Sequence, residues 1–192
     1  MTQATSQNFD ALRARLDEAV DAGETSIIAQ HVKATLQQLL RGDGLTLDPE
    51  FCAPRPDSYA RRLLHRDPAG RYTVVVMTWG PGQQTSLHDH AGIWCVECVV
   101  QGRMLVTQYD LIDDRDDRYR FQQKTSVNAE RGSAGCLIPP FEYHTLANAV
   151  PDGSSITLHV YGGEMDHCHV FERMADGAYR KLTRSLSYHN VE

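Results

Sequence analysis

The sequence has no excess of positive charge. It contains 19 lysine and arginine residues against 25 aspartate and glutamate residues, which gives a formal net charge of −6. Proteins that bind nucleic acids or membrane surfaces usually present a basic face. We therefore expect no nucleic acid and no membrane among the partners of this protein.

Long apolar runs and a disulfide framework are also missing. No stretch is long and apolar enough to span a bilayer, and the N-terminal residues contain no apolar core of a secretory signal. The cysteines form an odd set of five, namely Cys52, Cys95, Cys98, Cys136 and Cys168. Together these features predict reduced thiols and a cytoplasmic protein.

The N-terminal segment 1–45 has the apolar spacing of helices. In FDALRARLDEAV the apolar residues recur at helical intervals, and Gly23 follows as a stop signal. The stretch TSIIAQHVKATLQQLL repeats this pattern and is followed by Gly42 and Gly44. We therefore expect two helices before the rest of the chain.

From Tyr72 onward the chain has a β texture. Short β-rich runs such as YTVVVMTW, WCVECVV, HTLANA and SITLHVY alternate with turn residues, which is typical of an all-β sandwich or barrel. The sequence contains no solenoid repeat and no second core, so we predict one domain over 1–192. The barrel and a C-terminal extension are expected over about 59–192.

Three histidines form a candidate metal site. His88 and His90 lie two positions apart, and residues two apart on a strand point to the same face. His144 follows IPPFEY and leads into TLAN. Three neutral imidazoles suit a divalent transition metal and leave positions open for a substrate. Two strand histidines alone would more often be polar surface.

The spacing around these histidines matches the two cupin motifs. Gly82, His88, His90, Cys95 and Gly102 have the intervals of the first motif, and PPFEYHTLAN resembles the second. The first motif normally carries glutamate where Cys95 stands. Without that carboxylate the site is more positive and more open, which favours a metal-ligating anion such as a thiolate, together with dioxygen and iron(II).

The stretch from about Tyr59 to Phe171 resembles the cysteine dioxygenase family of iron-dependent thiol dioxygenases, and the chain is identified as a bacterial member. The segments that carry the resemblance are SYARRLL, HDHAGIWC and TLHVYGGEMDHCHVF. The resemblance implies a mainly β cupin (jelly-roll) barrel with N-terminal α-helices. It also implies an Fe(2+) cofactor held by His88, His90 and His144.

The resemblance further implies a role for each matching side chain. The residues that would bind or orient the substrate are Arg61 and Tyr59 at its carboxylate, Tyr161 at its reacting end, and His159, which orients the Tyr161 hydroxyl. Thr157 replaces the family's serine in this group, and Cys168 matches a cysteine near the entrance. Cys95 falls where some members carry a cysteine that cross-links to the tyrosine.

The implied reaction converts L-cysteine and dioxygen to cysteine sulfinic acid. Arg61 favours cysteine, because the related 3-mercaptopropionate dioxygenases tend to carry glutamine there. Another small thiol, or a non-catalytic cupin that binds metal, remains an alternative. The expected partners are the thiol and dioxygen, and the expected state is a monomer or a weak homo-oligomer.

Glu97 is the residue that fits this interpretation least. It shares strand parity with Cys95, so an undisturbed strand would point both side chains inward. A buried carboxylate near iron would be unusual for this family, and we therefore expect a bulge or a barrel-rim position instead. If Glu97 ligates the metal, the site becomes an ordinary cupin site and the thiol interpretation weakens.

Overall fold

Two helices precede the sheets, as predicted. The computed structural model describes residues 9–41 and 45–190, so Gly42 and Gly44 lie outside the described residues. Helix α1 spans Phe9–Val20 and helix α2 spans Thr25–Arg41, and Gly23 has a φ of 102° in the turn between them. A third helix, α3, spans Pro49–Cys52 and is too short for a periodic pattern to predict.

Eleven strands follow in the described part of the chain. Their bounds are β1 Ala60–Arg66, β2 Thr73–Trp79, β3 Leu87–His88, β4 Cys95–Gln101, β5 Arg103–Asp113, β6 Arg120–Glu130, β7 Ala134–Leu137, β8 His144–Asn148, β9 Ser155–Tyr161, β10 His167–Arg173 and β11 Tyr179–Ser185. They form a five-stranded sheet in the order β1-β2-β9-β4-β7 and a six-stranded sheet in the order β11-β10-β3-β8-β5-β6. The expected mainly β barrel with N-terminal helices is confirmed.

The five-stranded sheet is buried on both faces. Along β2, Val74 and Val76 pack in the core cluster that contains α1 and α2, whereas Val75 and Met77 pack in the cluster between the sheets. This explains why YTVVVMTW is continuously apolar, since a strand covered on both sides shows no polar alternation. The helices therefore close one face of the sheet, and its other face is left to form the inside of the barrel.

The strands β1 and β11 were not predicted from the sequence. Strand β1 has the polar sequence ARRLLHR, yet it pairs with β2 and brings Arg61 opposite Met77. Strand β11 is largely exposed and pairs with β10 at the edge of the other sheet. Among residues 9–41 and 45–190, no helix has both the length and the apolar character needed to cross a membrane.

Candidate metal centre

The three predicted histidines converge inside the barrel. His88 on β3 pairs with His144 at the start of β8, and their ring centroids lie 4.3 Å apart. The His90 ring lies 5.5 Å from that of His88 and 5.1 Å from that of His144. One nitrogen from each ring falls in a group whose members all lie within 4.8 Å of one another. This spacing suits three ligands of one ion.

His90 does not lie on a strand, because β3 ends at His88. The intervening Asp89 holds the loop in place. Its Oδ1 accepts hydrogen bonds from the backbone N–H groups of Ala91 (3.0 Å) and His169 (2.9 Å), and its Oδ2 lies 2.8 Å from Nδ1 of His169. The two rings therefore converge because a buried carboxylate ties the loop to β10, and not because of strand parity.

The hydrogen bonds leave these imidazoles ready to bind a cation. Nδ1 of His144 lies 2.7 Å from the Glu142 carbonyl, and Nδ1 of His88 lies 3.1 Å from the Ser86 carbonyl. A carbonyl only accepts, so Nδ1 carries the proton and the lone pair is on Nε2. Burial lowers the pKa of His88, and it lowers the pKa of His90 and His144 well below the usual value. The rings stay neutral, as metal ligands must be.

An unpaired nitrogen supports the fit of a metal ion. Nε2 of His144 is buried and has no hydrogen-bond partner. A buried polar atom without a partner is costly, and a cation held by the three histidines would satisfy it. Imidazole donors suit iron, zinc and similar transition metals rather than calcium or magnesium.

The expectation for Glu97 was wrong. Strand β4 runs undisturbed through Glu97, which pairs with His159, and the irregularity lies further on, between Val99 and Gln101. The Glu97 side chain therefore points inward and is buried, with Oε2 at 3.8 Å both from Nε2 of His144 and from Nδ1 of His159. It does not belong to the three-histidine group, so it lies beside the candidate ligands as an outer carboxylate.

Burial raises the pKa of Glu97 to about 8. Its Oε2 has no hydrogen-bond partner, and on its other side Glu97 borders a largely apolar cavity of about 210 Å³. Leu146 lines both this cavity and the space in front of the histidines. In the metal-free protein the carboxyl group is thus held mostly protonated at neutral pH, since little around it stabilises the charge.

Replacing Glu97 with glutamine should change how the stability of the metal-free protein depends on pH. The folded-state pKa lies above the unfolded value, so between these two values the unfolded chain releases a proton that the folded chain keeps. The wild type therefore loses stability as pH rises, and relative to Glu97→Gln it should lose about 3 kcal/mol between about pH 5 and about pH 8. Urea unfolding of both proteins across this range measures the difference.

The comparison with glutamine removes the contribution of every other titrating group, which both proteins share. The same measurement on the metal-bound proteins gives a second comparison. A nearby cation favours the ionised carboxylate, so bound metal should reduce the pH-dependent difference in stability between wild type and variant. A difference between wild type and variant that stays flat with pH would mean that Glu97 is ionised, and hence paired, even without metal.

A chain of hydrogen bonds sets the orientation of Tyr161. The indole N–H of Trp79, which can only donate, lies 2.9 Å from the Thr157 hydroxyl oxygen, and that oxygen lies 2.8 Å from Nε2 of His159. Nδ1 of the same ring lies 3.4 Å from the Tyr161 hydroxyl. The His159 ring thus links the Tyr161 hydroxyl to Thr157 and Trp79 and holds it in place.

Cys95 and Tyr161 lie directly opposite each other. They are paired residues of β4 and β9, and both side chains are buried. Sγ of Cys95 also lies 3.9 Å from Nδ1 of His159. Burial raises the pKa of the Cys95 thiol well above its usual value, so Cys95 is not a thiolate here. Cys98 lies on the helix-facing side of the same strand.

Arg61 supplies the positive charge at the site. Its side chain is buried, its Nη2 donates to the Met165 carbonyl at 2.7 Å, and its Nη1 has no partner. Its guanidinium lies over the Tyr161 ring at 5.8 Å from the centroid. A buried guanidinium with one free donor is poised to bind an anion.

Most of the candidate site residues border one small cavity in front of the histidines, which we call the metal cavity. Its volume is about 30 Å³, and its lining includes His88, His90, His144, His159, Tyr161, Arg61, Tyr59 and Cys168. Thr157 and Cys95 lie behind it, in contact with His159. The structure thus brings together every residue singled out from the sequence as a site residue.

Part of the cavity wall was missed from the sequence. Met165 and Leu186 both line the metal cavity, and Tyr188 stacks on Arg61 with its ring centroid 4.5 Å from Cζ. Leu186 and Tyr188 follow the polar edge strand β11, where no periodic pattern predicts a buried position. The signal available in the sequence was an aromatic residue, Tyr188, in a segment otherwise rich in exposed positions.

The sequence is similar to known proteins of one family. The sequence profile of the family described as cysteine dioxygenase type I matches residues 46–174. Cysteine dioxygenase type 1 of Rattus norvegicus is 24% identical over 132 residues, which cover 69% of this chain and 63% of the relative. The protein of the same name from Homo sapiens is 23% identical over the same length. The chain thus spans about 63% of the length of these relatives.

Solved structures resemble the chain more loosely. The TT1209 protein from Thermus thermophilus is 16% identical with a TM-score of 0.47, covering 60% of this chain and 92% of that one. An oxalate oxidase in complex with glycolate is 17% identical with a TM-score of 0.43, covering 57% and 53%. The family assignment rests on the profile, which spans well over half of the sequence. The chain belongs to the cysteine dioxygenase type I family.

Proposed function

We propose that this protein is an iron-dependent thiol dioxygenase that converts L-cysteine and dioxygen to cysteine sulfinic acid. The observation that carries the proposal is the free Nη1 of Arg61, buried in the same cavity as the three histidines. A metal-binding module without catalysis has no use for an anion-binding arginine beside its metal. A small thiol carboxylate has two anionic groups. Its thiolate would bind the metal held by the three histidines, and its carboxylate would bind Arg61.

Arg61 would hold the substrate carboxylate and so fix the direction of the thiol. With Nη2 engaged by Met165, Nη1 is the donor that remains for the substrate. Tyr59, which packs on Trp79 with ring centroids 4.5 Å apart, would border the same end of the substrate. Cys168 would form part of the neighbouring wall. Such fixed positioning removes the entropic cost of orienting the substrate during the reaction.

His88, His90 and His144 would hold Fe(2+), which when bound supplies the redox chemistry and lowers the pKa of the substrate thiol. The chain then contributes electrostatics and orientation. The Tyr161 hydroxyl, which lies 3.4 Å from Nδ1 of His159, would donate a hydrogen bond to the oxygen atoms that are being transferred to sulfur. Burial raises the pKa of Tyr161 well above its usual value, so it remains a donor at neutral pH.

Oxygen consumption with purified, iron-loaded protein tests the proposal. L-Cysteine should drive oxygen uptake in equal molar amount and yield the sulfinate. 3-Mercaptopropionate carries the same thiol and carboxylate but no amine, so it tests whether the amine contributes. Turnover of 3-mercaptopropionate but not of cysteine would overturn the assignment of cysteine as the substrate, whereas the assignment to the thiol dioxygenases would still hold. No oxygen uptake with either thiol would favour the non-catalytic alternative.

We also expect a thioether bond between Cys95 and Tyr161 after turnover. Their opposed positions on β4 and β9 place the thiol beside the tyrosine. Forming the bond removes the thiol hydrogen and one ring hydrogen, and dioxygen is the oxidant. Intact mass spectrometry of the denatured protein should show a loss of about two hydrogens. Cys95→Ala should lack this loss, and an unchanged wild-type mass would leave Cys95 a buried thiol.

We further infer that the protein works in the cytoplasm with small molecules as its partners. The five cysteines are free thiols, which is the state that a reducing compartment maintains. The net charge of −6 also supports an absence of nucleic-acid and membrane partners.

A further inference from the structure

The C-terminal segment 186–189 lies beside the metal cavity. Leu186 lines the cavity, and its backbone N–H donates to the Asp166 carbonyl at 2.6 Å. His189 pairs with β1 at Arg61: its N–H donates to the Arg61 carbonyl at 2.7 Å, and its Nδ1 accepts from the Arg61 N–H at 3.0 Å. The family match ends at residue 174, so the segment lies outside it. The segment is nevertheless hydrogen-bonded to Arg61, the candidate substrate-binding arginine.

Contacts at its ring and at its hydroxyl group hold Tyr188 against Arg61. Its ring centroid lies 4.5 Å from Cζ of Arg61, which is close enough for a cation–π contact. Its hydroxyl donates to Oε1 of Glu164 at 2.7 Å, and Oε2 of Glu164 accepts from Arg66 at 2.7 Å. The ring is therefore fixed by an ion pair that lies outside the cavity.

These contacts leave Arg61 with one defined orientation. Nη2 is committed to the Met165 carbonyl, and Tyr188 covers the guanidinium at 4.5 Å. Nη1 stays unpaired and buried. If the Tyr188 ring were absent, the guanidinium could rotate or draw water, and the substrate would have to reorder it on binding.

We propose that Tyr188 is a positioning residue that holds Arg61 ready for the carboxylate of a small thiol. The ligand class rests on the proposed function, because a thiol carboxylate is what that function requires. Tyr188 itself does not touch the reacting atoms, so its effect is on affinity for the carboxylate rather than on the chemical step.

Calorimetric binding to the iron-loaded protein without dioxygen tests this proposal. The probes are L-cysteine and cysteamine, which has the same thiol and amine but no carboxylate. Tyr188→Leu removes the ring and should weaken cysteine binding about tenfold, while cysteamine binding changes by less than about twofold. Tyr188→Phe keeps the ring and loses only the hydrogen bond to Glu164, so it should recover most of the affinity. Ser187→Ala, at the exposed neighbouring position, serves as the control.

Steady-state kinetics provides the second readout. Tyr188→Leu should raise KM for cysteine with a much smaller change in kcat, and iron content and melting temperature confirm that the variant is folded. Equal weakening of cysteine and cysteamine, or cysteine affinity within about twofold of wild type, would overturn the proposal. Binding is measured without dioxygen and hence without turnover. The comparison of cysteine with cysteamine would therefore remain valid even if the protein showed no dioxygenase activity.

Discussion

Replacing His144 with alanine is expected to abolish both metal binding and turnover. His144 supplies a buried Nε2 without a partner, and its Nδ1 is fixed on the Glu142 carbonyl. The variant leaves two histidines, and replacing even a residue that only supports a ligand typically costs 10–100-fold in affinity or activity, so we expect a loss of at least about a hundredfold. Metal analysis after equilibration with limiting Fe(2+), combined with oxygen uptake, measures both effects.

The matched control is His31→Ala. His31 lies on α2 with an exposed side chain, so this variant removes an imidazole from the chain without touching the site. It should bind iron and consume oxygen as the wild type does. If His144→Ala retained full iron occupancy, the three histidines would not be the metal site.

Replacing Arg61 with alanine is expected to raise KM for cysteine about a hundredfold while iron stays bound. Arg61 is not a candidate metal ligand, and its free Nη1 is the donor we assign to the substrate carboxylate. Arg61→Lys keeps a charge but loses the planar fork that matches a carboxylate, so it should recover only part of the affinity. Steady-state kinetics and iron analysis of the three proteins provide the test.

Arg62→Ala separates recognition from general damage. Arg62 is the next residue on β1 and is also buried, but it points to the other face, where its Nη1 donates to the Phe51 carbonyl at 3.3 Å. Its removal should lower the stability and leave KM for cysteine near the wild-type value. A similar rise in KM for both variants, or loss of iron from Arg61→Ala, would mean that Arg61 acts structurally.

The parts of the fold that the sequence predicted are those with a local signal. The apolar spacing of Leu12 and Leu16 locates α1, and the continuous apolar run around Val75 locates a central strand. Strand β1 gives no such signal, because Arg61 and Arg62 are buried by tertiary contacts with Met165 and Phe51. The segment 186–189 is likewise defined by its pairing with Arg61, a contact between residues far apart in the chain.

At the site, motif spacing located the histidines, and the resemblance supplied Arg61 and Tyr161. Glu97 was misplaced because a buried carboxylate near iron is unusual for the family that the sequence resembles. The structure gives a physical reason why it is tolerated: with its pKa raised to about 8, the group can stay neutral in the metal-free protein. Next to a bound cation, the same group could carry its charge. The strand pattern thus predicted the direction of the side chain correctly, and the expectation taken from the family was the one that failed.

The most direct test of the central claim is turnover of L-cysteine under isotopically labelled dioxygen, followed by mass spectrometry of the product. The proposed function predicts a sulfinate in which both new oxygen atoms carry the label. Label in only one oxygen atom, or disulfide formation with labelled oxygen recovered as peroxide or water, would contradict it.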